Sequence, residues 1–390
     1  MKSLSKILST LLLTNLLIGC STPAGSSSSS SEPSSDSEVV STNNFYENPI
    51  YPLYNGQKKE TYLADPYVIR DEDTLKYYMY TTQSDVFIDG TIGSVFKRGP
   101  IYESIDLVNW TYKADSFVNY TPNWGTSGAG VWAPTVVKIG DYYNLYYSLS
   151  TGGDDNPGIG VARSETPYGP FTHYGKLFNS EEIGVTNSID PHVLVDNGKV
   201  YMVFGSYGGL ISLIELTSDG LGLQNGVEYQ KENKIALAGY ELYEMNNYEA
   251  SLILQYNGYY YLFLSTGTCC SGVNSTYNVV IAKSDKITGP YLDSQGRNMF
   301  GPKRGDTVVA PSIQGAMGVG HNGIAMDDAG DFWMIYHGYD TQGAKPDWRV
   351  TYLDKLYIDP ATEMFYVKNR RASNGELLPG PFINQLEGVS

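Results

Sequence analysis

The chain has 390 residues, a formal charge of −16 and only 17% charged residues. An acidic balance of this size argues against nucleic acid or an anionic membrane surface as partner, and leaves neutral polymers such as polysaccharides open. Tyrosine occurs 34 times and glycine 42 times, and tyrosine, with its rigid apolar face and hydroxyl, suits both sheet packing and stacking on sugar rings.

At the N-terminus, Lys2 and Lys6 precede an apolar run, Ile7 to Ile18, that is too short to span a bilayer stably. The run ends Leu17-Ile18-Gly19-Cys20, a pattern that resembles a bacterial lipobox. Residues 1–19 therefore read as a lipoprotein signal peptide and Cys20 as a lipidated N-terminus, which places the mature chain outside the cytoplasm on a membrane anchor. Residues 20–41 follow as a Ser-rich tether that cannot bury a core. The folded domain is expected over 42–390, as a monomer.

From residue 65 onward one short phrase recurs. It reads Asp65-Pro-Tyr-Val-Ile, Ala133-Pro-Thr-Val-Val, Asp190-Pro-His-Val-Leu, Glu249-Ala-Ser-Leu-Ile and His321-Asn-Gly-Ile-Ala. An aromatic or β-branched run follows each copy, as in Tyr142-Tyr-Asn-Leu-Tyr-Tyr and Tyr259-Tyr-Tyr-Leu-Phe-Leu. Turn residues separate the paired runs, Asp196-Asn-Gly-Lys in one repeat and Asn257-Gly258 in another. Repeats of this length, built of short strands, predict an all-β, five-bladed β-propeller. No sustained helical period is present in the mature chain.

In a propeller the innermost strands line a central channel. If the phrase opens that strand, Asp65, Asp190, Glu249 and His321 converge at one mouth. A lone Asp-Pro is ordinary turn punctuation. Carboxylates in three of the five copies point instead to a site, because buried unpaired carboxylates are costly.

The remaining cysteines, Cys269 and Cys270, are adjacent. A vicinal bridge and two free thiols are both open. The chain has no Cys/His metal-finger spacing, no phosphate loop and no Gly-x-Ser-x-Gly elbow.

Three carboxylates at one mouth suit acid–base cleavage of a glycosidic bond, which needs one protonated and one ionised carboxyl group. A third keeps the acid protonated, since like charges raise one another's pKa. Glu249 has the longer reach and an anionic neighbour, so it is the expected general acid. Asp65, across the axis, is the expected general base, and Asp190 the pKa modulator. An opposed pair that admits a water predicts inversion of configuration.

With Leu63-Ala-Asp65-Pro, Val131-Trp132-Ala-Pro, Ile189-Asp190-Pro-His, Glu249-Ala-Ser and Gly320-His321-Asn, the stretch from about 60 to 370 resembles glycoside hydrolase family 43. The family's roles fall on the same three carboxylates. Cys269-Cys270-Ser-Gly-Val-Asn-Ser-Thr-Tyr and Thr288-Gly-Pro-Tyr resemble the endo-acting arabinanases. The resemblance implies cleavage of internal α-1,5-L-arabinofuranosyl bonds in arabinan or another pentose-containing plant polysaccharide. It also implies substrate contacts at Trp132, Asn187 and Ser206, and a central calcium at His321. Alternatives are an exo-acting α-L-arabinofuranosidase or β-xylosidase of the same fold, and a non-catalytic glycan-binding lipoprotein.

Overall fold

The computed structural model describes residues 40–118, 120–239 and 247–385. The expected signal peptide, Cys20 and the tether up to residue 39 lie outside the described residues. Among the described residues, no helix is long and apolar enough to cross a membrane.

Five sheets, each with four antiparallel strands at its heart, carry the fold, one for each copy of the phrase. The first blade runs Tyr67–Arg70, Tyr77–Tyr80, Pro100–Ser104 and Thr111–Asp115, with Leu53–Tyr54 and Gln57–Lys58 added at its outer edge. The second runs Gly130–Ile139, Tyr142–Ser150, Gly158–Ser164 and Thr172–Asn179, and the third His192–Asp196, Lys199–Phe204, Ile211–Leu216 and Ile235–Ala238. The fourth runs Tyr248–Tyr256, Tyr259–Thr266, Asn278–Ser284 and Asp306–Val309, and the fifth Ala316–Met326, Phe332–Asp340, Arg349–Ile358 and Phe365–Val367. This is the expected five-bladed propeller. The turns are those the sequence signalled: Asn197 and Gly198, and Asn257 and Gly258, all have positive φ, as the tight hairpin turn requires. Two short helices, Ser180–Ile183 and Val227–Asn233, were not expected. The first is nucleated by a capping box between Asn179 and Glu182.

The core is divided among the blade interfaces. Val203, Leu213, Leu262 and Leu264 join blades three and four, while Tyr146, Val161, Met202 and Phe204 join blades two and three. Tyr77, Tyr80, Tyr146, Tyr147, Tyr336 and Tyr352 are all fully buried, so packing accounts for many of the tyrosines.

The ring closes without exchanging strands between the first and last blades. Val68, Tyr77 and Met79 pack directly on Trp333, Ile335 and Leu353. Strand Val40–Glu47 pairs with Leu377–Gln385, so ordered pairing begins two residues inside the expected tether. Asn48 then imitates a strand residue: its Nδ2 donates to Leu353 O at 2.7 Å, and Leu353 N donates to its Oδ1 at 2.9 Å. The segment before residue 60 thus binds the last blade first and the edge of the first blade afterwards.

Candidate active site

Each innermost strand carries a residue forced into the left-handed region, either within the strand or two places before it. Asp65, Ala133, Asp190, Ala250 and His321 have φ of 57°, 42°, 58°, 54° and 52°. The fourth member is Ala250, which corrects the sequence register. Glu249 stands one place earlier, where the other blades have Ala64, Trp132, Ile189 and Gly320. The shared position therefore carries two carboxylates, two alanines and a histidine. A left-handed conformation costs a non-glycine residue about 1–2 kcal/mol, and strain of this kind gathers at functional sites.

A latch holds each of these residues. Its backbone N–H donates to a side chain that ends the second strand of the preceding blade. Ala133 N donates to Thr82 Oγ1 at 2.8 Å, Asp190 N to Ser148 Oγ at 2.9 Å, His321 N to Ser265 Oγ at 2.9 Å and Asp65 N to His337 Nδ1 at 3.1 Å. At the corresponding place in the third blade stands Gly205, which offers no acceptor. Ala250 N donates instead to Asp190 Oδ2 at 3.2 Å. One carboxylate thereby braces the backbone next to Glu249.

The first carboxylate is held by cations. Asp65 Oδ1 lies 3.1 Å from Arg349 Nη1 and 3.2 Å from His321 Nδ1, and its Oδ2 accepts from Thr82 Oγ1 at 2.5 Å. Burial opposes its charge, but Arg349 and His321 hold the carboxyl well below its ordinary range, so it stays ionised. His321 also pays for burial, yet the Asp65 and Asp190 carboxylates raise it to about 9. His337 is buried and lowered to about 4, so it is neutral, and its Nδ1 is free to accept the Asp65 N–H.

Asp190 is pushed up to about 7, first by burial and then by Glu249 and Asp65, against His321. Glu249 is gripped on both oxygens: Ser206 Oγ donates to Oε2 and the Tyr277 hydroxyl to Oε1, each at 2.6 Å. The residues expected to converge are thus joined through short contacts, Asp65 to His321 and Asp190 to the Glu249–Ala250 backbone.

Trp132 is half-buried beside Ala133 and belongs to none of the apolar clusters among the described residues. Asn187 has φ 56° and donates from Nδ2 to Tyr207 O at 3.1 Å, which is turn-forming work. Ser206 touches Glu249 rather than open space. Cys269 and Cys270 form a vicinal disulfide in the loop between the second and third strands of blade four.

Sequence reasoning missed Thr82, Tyr62, Arg349, His337 and Tyr277. Arg349 opens a third strand and donates to the Tyr62 hydroxyl as well as to Asp65. No motif marks it. The serine or threonine that closes the second strand was visible in several repeats and was the one available signal.

The model for glycosyl hydrolases family 43 matches residues 57–361. The chain belongs to that family. Within family 43 it is 30% identical, over 318 residues, to an extracellular exo-α-(1→5)-L-arabinofuranosidase of Cellvibrio japonicus, covering 77% of this chain and 83% of the relative. It is 32% identical over 252 residues to an extracellular endo-α-(1→5)-L-arabinanase of Bacillus subtilis, covering 62% of this chain and 72% of the relative. The structure of a Cellvibrio cellulosa α-L-arabinanase in complex with arabinohexaose superposes with a TM-score of 0.67 at 28% identity, covering 80% of this chain and 97% of that one. The protein is a glycoside hydrolase.

The calcium expected of this family-43 site meets a poor donor set. Among the described residues, no group of three or more His, Cys, Asp or Glu side chains is placed to hold a metal ion. His321 directs Nδ1 at Asp65, and calcium prefers oxygen ligands. The described residues alone do not make a calcium cage.

Proposed function

We propose that the protein is an inverting endo-arabinanase, cleaving internal α-1,5-L-arabinofuranosyl bonds of arabinan. The observation that carries this reading is the pairing of unlike carboxylates. Asp65 is held ionised by Arg349 and His321, while Asp190, beside Glu249, is pushed up to about 7. Two carboxyl groups driven in opposite directions supply a base and a site for a proton.

Glu249 protonates the leaving glycosidic oxygen, and Asp65 takes a proton from the attacking water on the opposite face of the sugar. Asp190, raised by burial to about 7, can carry a proton near neutral pH, and His321 and Arg349 balance the negative charge of Asp65. Asp190 also fixes the backbone beside the acid through Ala250. Trp132, half-buried at the start of the second blade, offers an apolar face to a sugar ring. Asn187 and Ser206 act indirectly, Asn187 by shaping the loop at Tyr207 and Ser206 by holding Glu249.

The arabinan assignment draws on the names of the relatives, and the endo assignment on the Cys269–Cys270 stretch. Exo action is the second reading, favoured by the Cellvibrio relative. The extracellular names of both relatives agree with export, and the Leu17-Ile-Gly-Cys20 pattern supplies the lipid anchor at Cys20. Calcium near His321 is proposed only as a hydrated ion held through water, since the imidazolium has no lone pair to offer it, and direct titration of metal-free protein with calcium tests it.

Digestion of linear arabinan, followed over time, tests the function. A ladder of oligosaccharides at early times supports endo cleavage. Arabinose alone from the start supports the exo reading, and binding without any cleavage returns the protein to the glycan-binding class.

A further inference from the structure

The Cys269–Cys270 loop ends in Tyr277. Its two ends are tied together, Thr268 N donating to Thr276 Oγ1 at 2.9 Å and Thr276 N to Thr268 O at 3.1 Å. Ser271 N adds a bond to Ser275 Oγ at 2.9 Å. The loop therefore delivers the next residue in a set place. Tyr277 is fully buried there, and its hydroxyl meets Glu249 Oε1 at 2.6 Å.

Two further features serve that one placement. The ring stacks on His337, with centroids 5.7 Å apart and planes 11° from parallel. The ring also lies against Gly320, where a Cβ would overlap its Cδ1 and Cε1. Gly320 pairs across its strand with His337, so a single register in blade five supplies both the stacking partner and the gap. His337 also takes the Asp65 backbone N–H. The same imidazole thus orients the seat of one carboxylate and the ring that grips another.

Glutamate has three side-chain torsions, and a proton donor misplaced by an ångström loses much of its effect. We infer that Tyr277 is a positioning residue for Glu249, fixing its carboxyl group toward the leaving oxygen through a contact that the glycine at 320 and the His337 stack make possible. This inference rests on the reading of Glu249 as the general acid. It gives the Cys-Cys loop a task in the reaction, which is to carry Tyr277 to the acid.

The test compares two leaving groups in Tyr277→Phe, which keeps the ring and the stack. On linear arabinan, whose leaving sugar must be protonated, kcat falls about 10²-fold with KM little changed. On a nitrophenyl arabinobioside, whose leaving group departs without a proton, the loss shrinks to about 3-fold, as expected when only acid assistance is impaired. Gly320→Ala, with the tyrosine still present, reproduces the same pattern. An equal loss on both substrates, or no loss on arabinan, overturns the positioning role. Glu249→Gln is the control for the reading beneath it. If that variant shows no dependence on the leaving group, the acid assignment fails by itself, independently of Tyr277.

Discussion

Asp190 Oδ2 accepts the backbone N–H of Ala250, the residue directly after Glu249, at 3.2 Å. In the blades where a serine, threonine or histidine ends the preceding second strand, that side chain takes the equivalent N–H. Gly205 removes the acceptor in blade three, and a carboxylate fills the vacancy. Asp190 is thus part of the scaffold that sets Glu249 as well as its anionic neighbour.

Thr82 makes both kinds of contact at once, accepting from Ala133 N and donating to Asp65 Oδ2. Thr82→Val preserves the shape and orphans a buried N–H and a buried carboxylate oxygen. It should lower stability by about 2 kcal/mol in urea denaturation, and Thr82→Ser should restore most of it.

Arg349 is the one guanidinium on Asp65 among the described residues, and it sits beneath Tyr62. Arg349→Leu leaves His321 as the remaining cation on Asp65, beside the neutral donors. Breaking a buried pair from one side should cost about 3 kcal/mol of stability. Denaturation curves for the variant and wild type measure it directly.

Two buried groups away from the carboxylates give stability opposite pH limbs. Burial lowers His192 to about 4, against a bond to Ile253 O. The unfolded chain binds that proton first, so the contribution is whole above about 6.5 and drains as pH falls toward 4. Burial raises Asp354 to about 6, partly offset by Tyr336 and Ser373. There the folded chain binds the proton first, so the contribution is whole below about 4 and is lost as pH rises through 6. Between pH 4 and 7, the stability of Asp354→Asn relative to wild type should therefore move in the variant's favour by about 2–3 kcal/mol. Chemical denaturation at each pH reads the difference.

Asn48 ties the N-terminal segment to Leu353 by two bonds and to Ser373 by a third. Asn48→Ala should destabilise the whole propeller by about 2 kcal/mol, since Leu353 N and O lose a buried partner. A melting curve that keeps a single transition, shifted downward, fits a ring closed at this point.

The blades were legible because strand chemistry is local: aromatic runs, Asn-Gly turns and a phrase that recurs. Asp65, Asp190 and His321 were legible because pseudosymmetry converts sequence position into place. Glu249 came out of register by one, since the residue that takes the left-handed turn there is Ala250 and the phrase has no proline to mark it. Arg349 and His337 were hidden for another reason: they reach the site from the third and second strands of blade five, through packing that no short pattern encodes. Tyr277 was in view as the last residue of the Cys269–Cys270 stretch, but nothing in that stretch says which carboxylate it meets. The vacancy at Gly205 has meaning only beside the hydroxyls that fill its equivalents.

In the proposed reaction Glu249 protonates the leaving oxygen of arabinan. The most direct measurement is the rate at which Glu249→Gln hydrolyses linear arabinan, alongside its binding of the same polymer. A loss of at least about 10²-fold in kcat, with binding retained, is the predicted result. A rate equal to wild type would contradict the account.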